Sequence, residues 1–91
     1  MGFLVLLGMY YIYILYSEFL DRYYVGSTQD VSRRLEEHNR GKGGYTRQGK
    51  EWVLKYTETF ESRMEAVNRE NAIKRRKSRQ YIQDLISSVD S

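Results

Sequence analysis

The chain has 91 residues, the size of one small domain with room for a single active site. It contains no cysteine, which excludes disulfides, a thiolate nucleophile and a cysteine-based zinc site, and favours a reducing, cytoplasmic location. Fifteen Lys and Arg against twelve Asp and Glu give a net charge of +3. Five of these cations fall within residues 73–79, so the excess charge is concentrated in one segment.

The first eight residues are apolar and run into an apolar segment that ends at Tyr16. As a membrane span this stretch is too short, because crossing the hydrocarbon core takes about 20 residues. A signal peptide or anchor is the alternative, but a basic n-region and a clear small-residue cleavage site are missing. We therefore predict that residues 1–8 are an extension outside the fold, that residues 9–88 form the domain without a membrane segment, and that residues 89–91 are a frayed tail.

Two short strands are predicted next. Residues 10–16 are apolar or aromatic, residues 22–26 are rich in tyrosine, and residues 17–20 read as the loop of a hairpin between them. A four-residue loop would place Tyr16 opposite Asp21 and Tyr13 opposite Tyr24. Both phenols would then lie on one face of the hairpin.

The remaining elements are a helix, a third strand and two further helices. Asp30 is a good N-cap for a helix that continues to about Asn39, and Gly41 ends it. Residues 41–50 hold four glycines with Lys42 and Arg47, which indicates a mobile basic loop. A strand over 51–59 and helices over 62–76 and 79–87 complete the chain. The prediction is a mixed α/β domain in which about three helices flank a small, mainly antiparallel three-stranded sheet.

Glu70 is unusual because it falls within the apolar stripe of its helix. At 100° per residue, one face of this helix carries the apolar residues Met64, Ala66, Val67 and Ile73, and Glu70 lies near the middle of that face. A carboxylate directed at a core usually has a cation or a metal ion as its partner. From the residues alone, a metal site and a structural ion pair with one of the arginines both remain open.

Two adjacent arginines in the first helix are separated by its geometry. Val31 and Leu35 mark the buried face; Arg34 lies on its flank one turn before His38, whereas Arg33 projects to the opposite side. Only Arg34 can share a site with His38, and Arg33 is expected to be a solvated charge. His38 is the only histidine, so a packing residue and a catalytic group that titrates near neutrality both remain open.

These residues carry a family resemblance. Tyr11-Ile12-Tyr13 and Tyr24-Val25-Gly26, followed by Arg34, His38 and Glu70, resemble the defining motifs of the GIY-YIG nuclease superfamily. The resemblance extends over residues 10–86 and is closest to the small stand-alone bacterial members. Their fold also forms the amino-terminal domain of the excision-repair endonuclease subunit.

The resemblance implies metal-dependent cleavage of DNA. It implies that Tyr13, assisted by Tyr24 or His38, handles the proton of the attacking water, and that Arg34 neutralises charge on the phosphate. It also implies that Glu70 is the ligand of one Mg²⁺ or Mn²⁺ ion. Two positions depart from the family pattern, because Tyr11 replaces a glycine and Ser27 stands where some members have a lysine.

The resemblance implies DNA as the partner, and the sequence does not distinguish DNA from RNA. Cations would bind the phosphate backbone whatever the base sequence, so sequence specificity should be low. Cleavage directed at DNA structures such as nicks, flaps or single strands, as in repair, is expected instead. The alternative is a nucleic-acid-binding module of a larger complex that has lost or weakened its turnover. The expected backbone contacts are Lys42, Arg47, Lys74, Arg75, Arg76, Lys77 and Arg79.

Overall fold

The computed structural model describes residues 8–40 and 51–89. The elements are β1 (Tyr10–Ser17), β2 (Arg22–Thr28), α1 (Val31–Asn39), β3 (Val53–Phe60), α2 (Arg63–Arg76) and α3 (Arg79–Ser87). They form one sheet of strand order β2-β1-β3 with both strand pairs antiparallel, which confirms the predicted fold class. Within these residues, no helix is long and apolar enough to cross a membrane. Three predicted segments lie outside the described ranges. They are residues 1–7, residues 41–50 with Lys42 and Arg47, for which a basic loop was predicted, and residues 90–91.

The central strand β1 is buried on both faces of the sheet. Its odd-numbered residues, Tyr11, Tyr13 and Leu15, pack in one cluster with Val31 of α1 and with Trp52. Its even-numbered residues pack on the other face in a second cluster, which contains Ile12, Ile14, Val25, Ala66 and Ile73. Because side chains alternate along a strand, a continuous apolar run is what a strand between two helical layers requires.

The pairing of β1 with β2 differs from the predicted register. Tyr13 lies opposite Gly26, and Tyr16 lies opposite Tyr23 rather than Asp21. The observed pairing is shifted by two residues from the prediction, so every side chain keeps the face that was expected. Tyr13 and Tyr24 therefore still share a face, on the side covered by α1.

Each helix begins at a side-chain cap. The carboxylate of Asp30 and the hydroxyls of Ser62 and Ser78 accept hydrogen bonds from backbone N–H groups three residues later. The inward face of α2 differs from the expected one, because Met64 is 72% exposed. Ala66 and Ile73 are buried, and Arg69 and Glu70 between them are half-buried, so Glu70 remains on the inward side of the helix.

Helix α2 is fixed against the third strand by an ion pair beside Glu70. The Arg69 guanidinium donates to both carboxylate oxygens of Glu58, at 2.9 and 3.0 Å, and to the Tyr81 hydroxyl at 3.2 Å. The same carboxylate accepts from the Tyr56 hydroxyl, and burial together with this bond raises the pKa of Tyr56 to about 12. Two-point contact of this kind restricts rotation of α2 and so orients Glu70.

Candidate active site

The phenol of Tyr13 lies directly over Gly26. A Cβ atom at position 26 would be 2.5 Å from the phenol oxygen and 2.6 Å from Cζ of Tyr13. The glycine therefore allows the phenol to cross the neighbouring strand towards the β2 edge of the sheet. In this way the register of the hairpin, rather than a turn, explains why the second motif ends in glycine.

His38 and Tyr24 enclose the same phenol. The hydroxyl of Tyr13 lies 3.1 Å from Nε2 of His38, and the ring centroids of Tyr24 and His38 are 4.6 Å apart. The next residue, Asn39, accepts from the backbone N–H of Trp52 at 2.6 Å and donates to its carbonyl at 3.1 Å. These two hydrogen bonds hold Trp52 in place, with its ring beside that of Tyr24. Tyr13, Tyr24 and His38 thus form one aromatic cluster between β1, β2 and α1.

Arg34 extends along the open side of this cluster. Its Nη1 donates to Oε1 of Glu37 at 2.7 Å, and its side chain is 36% exposed. The Tyr13 phenol beside the guanidinium, and then Glu37, raise the pKa of Arg34. Arg33 reaches the other oxygen of Glu37 at 3.2 Å but is 74% exposed. The structure therefore places Arg34 at the site and Arg33 outside it.

Burial determines the protonation states of the Tyr13 and His38 side chains in this cluster. Burial raises the pKa of the Tyr13 phenol, and the Arg34 guanidinium offsets only part of the rise. Burial, with the Arg34 charge adding to it, lowers the pKa of His38 to about 4. At neutral pH the phenol is therefore protonated and the imidazole is neutral, and of the two roles left open for His38 this environment favours a buried, hydrogen-bonded residue.

Glu70 reaches the same edge of the sheet from the opposite face. Its Oε1 accepts from the Ser27 hydroxyl at 2.7 Å, and its Oε2 lies 2.6 Å from Nζ of Lys74. The carboxylate is near enough to Tyr13 that its charge contributes to the raised phenol pKa. The ion-pair partner is a lysine one helical turn away, not the arginine considered from the sequence.

The donors around Glu70 suit a hydrated divalent cation. Within the described residues there is no group of three or more His, Cys, Asp or Glu that could form an all-protein metal site. A single carboxylate beside a serine hydroxyl fits Mg²⁺, which keeps several waters and takes a further ligand from phosphate. The Lys74 ammonium beside this carboxylate is a positively charged partner, so the carboxylate oxygen accepts positive charge.

The five cations of residues 74–79, which run from the last turn of α2 into α3, differ in their contacts. Arg76 stacks on the Tyr81 ring at 4.1 Å from its centroid. Arg79 donates to the Asp21 carboxylate at 2.5 Å and fastens the hairpin loop to α3.

Arg75 and Lys77 are exposed, and Lys77 ends α2 with a left-handed φ of 49°. Lys74 pairs with Glu70, so three of these cations already contact another side chain, whereas Arg75 and Lys77 remain available at the surface.

Three contacts at the candidate site were not anticipated from the sequence. Lys74 stands four residues after Glu70, and this spacing alone signals a helical ion pair. Ser27 was noted for the lysine it replaces, but its hydrogen bond to Glu70 needs the sheet register. Glu37 bridges Arg33 and Arg34, a contact that the i,i+3 and i,i+4 spacings could have indicated.

Comparison with known proteins identifies relatives of this chain by sequence and by fold. A UPF0213 protein of Halobacterium salinarum is 51% identical over 53 residues, which span 57% of this chain and 69% of the relative. A UPF0213 protein of Bacillus velezensis is 39% identical over 72 residues, spanning 75% of this chain and 73% of the relative. The solution NMR structure of a UPF0213 protein from Bacillus halodurans is 38% identical, covers 87% of this chain and 83% of its own, and superposes with a TM-score of 0.55.

The family model described as the GIY-YIG catalytic domain matches residues 9–83. That range contains both tyrosine motifs, the arginine and histidine of α1 and the glutamate of α2. The chain therefore belongs to the GIY-YIG family, which is a family of nucleases.

Proposed function

We propose that this chain is a metal-dependent endonuclease that hydrolyses DNA phosphodiester bonds with low sequence specificity. The observation that carries the proposal is the meeting of the Tyr13 phenol, the Arg34 guanidinium and the Glu70 carboxylate at one edge of the sheet. A proton-transfer group, a fixed cation for phosphate and a carboxylate for a divalent ion are the parts that phosphodiester hydrolysis requires.

Arg34 binds the phosphate in this mechanism. Its guanidinium is permanently charged and forked, so it can contact two phosphate oxygens and stabilise the charge that develops on them. Its present partner Glu37 also accepts from Arg33, and that second contact holds Glu37 in place when Arg34 turns towards a substrate.

Tyr13 and His38 transfer the proton. As the water attacks, its proton passes to the phenol oxygen of Tyr13 while the phenol proton passes to Nε2 of His38, 3.1 Å away. The resulting imidazolium lies near Arg34, whose charge opposes it. A phosphate bound at Arg34 brings the negative charge that compensates this cost, so the transfer becomes favourable only with substrate bound.

Glu70 would hold the divalent cation, with Ser27 orienting the carboxylate. When bound, Mg²⁺ or Mn²⁺ supplies a Lewis acid for the leaving oxygen. No recognition element is appended in the described ranges, so contacts to the backbone would dominate. Branched, nicked, flapped or single-stranded DNA is therefore the proposed substrate class, in repair or processing.

A nucleic-acid-binding module with weak turnover is the second candidate. Two observations favour it: burial raises the pKa of the phenol that must accept the proton, and Ser27 rather than a lysine follows the second motif. Binding without cleavage would leave the same cations in place.

A substrate panel separates the two candidates. Labelled nicked, flapped, single-stranded and branched DNA, with a matched RNA strand, is incubated with the protein in Mg²⁺, in Mn²⁺ and in EDTA. Cleavage that needs the metal and is lost in Tyr13→Phe, but kept in Arg33→Ala, supports the endonuclease. Retained binding with no metal-dependent cleavage of any substrate supports the binding module.

A further inference from the structure

Lys74 occupies the carboxylate to which the proposed function assigns the metal. Its Nζ lies 2.6 Å from Oε2 of Glu70, while the Ser27 hydroxyl takes Oε1 at 2.7 Å. Both oxygens of Glu70 therefore already have a donor, and one of these donors carries a full positive charge. A second cation at the same carboxylate would be repelled by the ammonium unless the ammonium withdrew.

The two partners differ in their freedom to move. The side chain of Lys74 is 49% exposed, whereas that of Glu70 is 16% exposed and is held on its other oxygen by Ser27. Lysine is a flexible chain that carries a point charge, and a half-exposed pair gains little from staying together. The lysine can therefore leave at low cost, while the carboxylate stays in position.

A phosphate offers Lys74 another partner at the same place. The Tyr13 phenol, which lies beside the proposed phosphate ligand Arg34, sits over Gly26, and the next residue, Ser27, holds Glu70. A phosphate bound at Arg34 would therefore also lie near Glu70. The two negative charges would repel each other, and a cation between them would reduce that repulsion. Lys74 belongs to the chain's cationic segment and is the member of it that contacts Glu70.

We propose that Lys74 is an exchangeable counter-ion of Glu70, which blocks the divalent cation in the absence of DNA and moves to a DNA phosphate when substrate binds. This inference rests on the proposed function. Lys74 is a positioning residue here, because it acts on the metal through Glu70. The consequence is positive coupling, in which DNA tightens metal binding and metal tightens DNA binding by the same factor.

Binding of Mn²⁺ without DNA tests the blocking step. The free Mn²⁺ signal in electron paramagnetic resonance is titrated for the wild type, Lys74→Met, Lys77→Met and Glu70→Gln. Lys77→Met is the matched control, since it removes the same charge from an exposed position in the same segment. We expect Lys74→Met to bind Mn²⁺ about fivefold more tightly than wild type, because in the wild type the ion pair between Lys74 and Glu70 must first be broken. Lys77→Met should change the affinity less than twofold.

The outcomes separate this inference from the proposed function. Binding that needs Glu70 but is equally tight in wild type and Lys74→Met would overturn the counter-ion role and leave the metal site standing. No Glu70-dependent binding in any form would overturn the metal site, and the counter-ion role with it. A tightening shared by Lys77→Met would show a general effect of net charge and would likewise overturn the specific role of Lys74.

Addition of DNA tests the exchange step. A short flapped duplex is added to forms that also carry Tyr13→Phe, so that the DNA is not cut, and Mn²⁺ binding is measured again. The form that retains Lys74 should gain at least about fivefold in Mn²⁺ affinity, and the Lys74→Met form should gain less. Equal gains in both forms would overturn the movement of Lys74 to phosphate.

Discussion

The phenol oxygen of Tyr13 lies 3.1 Å from Nε2 of His38, although 25 residues separate them in sequence. One side chain comes from the central strand and the other from the last turn of α1, and both are almost completely buried. Burial sets the properties of the pair, because it keeps the phenol protonated and the imidazole neutral. The pair can therefore pass a proton but holds no charge at rest.

The depressed pKa of His38 predicts a specific loss of stability in acid. Between its ordinary value of 6.5 and about 4, the unfolded chain binds a proton at this histidine and the folded protein does not. Stability therefore falls as the pH drops through this window, by about 3 kcal/mol from this group, and this contribution levels off below pH 4. Thermal melts of wild type and His38→Gln from pH 7.5 to 4 measure it. The variant should lose less stability than wild type, and parallel curves would contradict the buried neutral state.

Arg34 and Arg33 should respond differently to the same substitution. Arg34→Ala removes the group directed at the phosphate and should lower cleavage by ~10²-fold or more. Arg33→Ala removes a side chain that is 74% exposed and should change the rate less than about threefold. Both rates are measured at saturating DNA, with melts to confirm folding. Equal losses would mean that the phosphate lies elsewhere on α1.

Gly26→Ala should act through Tyr13. The new Cβ would lie 2.5 Å from the phenol oxygen, so the ring must move, at a cost of about 1–3 kcal/mol. A displacement of about 1 Å at the reacting group should lower cleavage by ~10²-fold. In a Tyr13→Leu background, which lacks the atoms that clash, the same change should cost little stability. If Gly26→Ala is equally destabilising in both backgrounds, the phenol is not the cause.

Glu70→Gln should separate metal binding from folding. Its ion-pair partner Lys74 is half-exposed and stays hydrated when the charge is removed, so stability in EDTA should change by less than about 1 kcal/mol. Metal-dependent cleavage should be abolished, while DNA binding survives. Melts in EDTA and cleavage in Mg²⁺ measure the two effects. A destabilised variant that still cuts would remove Glu70 from the site.

The cations of residues 74–79 should affect either DNA binding or stability, depending on their contacts. Neutralising the exposed Arg75 and Lys77 together should weaken binding to any DNA and reduce the slope of log affinity against log salt by about one to two, without changing stability. Arg79→Gln should instead loosen the hairpin loop, because Arg79 holds Asp21 and lies over the Tyr23 ring. The loosened loop should appear in melts as a lower midpoint than that of the wild type. An unchanged salt slope for the first variant would place the DNA on another surface.

Local patterns in the sequence were sufficient for the elements and for the faces on which the site residues lie. The continuous apolar run at 10–16 predicted a strand, and Asp30 predicted a helix start that the structure confirms. The helical period separated Arg34 from Arg33 and placed Glu70 inward. These features depend on residues a few positions apart, and short-range geometry determines them.

The tertiary structure alone decided what those residues contact. The hairpin register placed Tyr13 on Gly26, where the sequence had suggested Tyr24, and a shift of two residues is invisible to a pattern of period two. Burial, not position in the chain, lowered the pKa of His38 to about 4. The Ser27 contact to Glu70 joins residues 43 apart through the packing of α2 on the sheet, and Met64 is exposed because that packing sets the rotation of the helix. Register, burial and helix rotation each depend on the whole core, because they are fixed only when both faces of the central strand are covered.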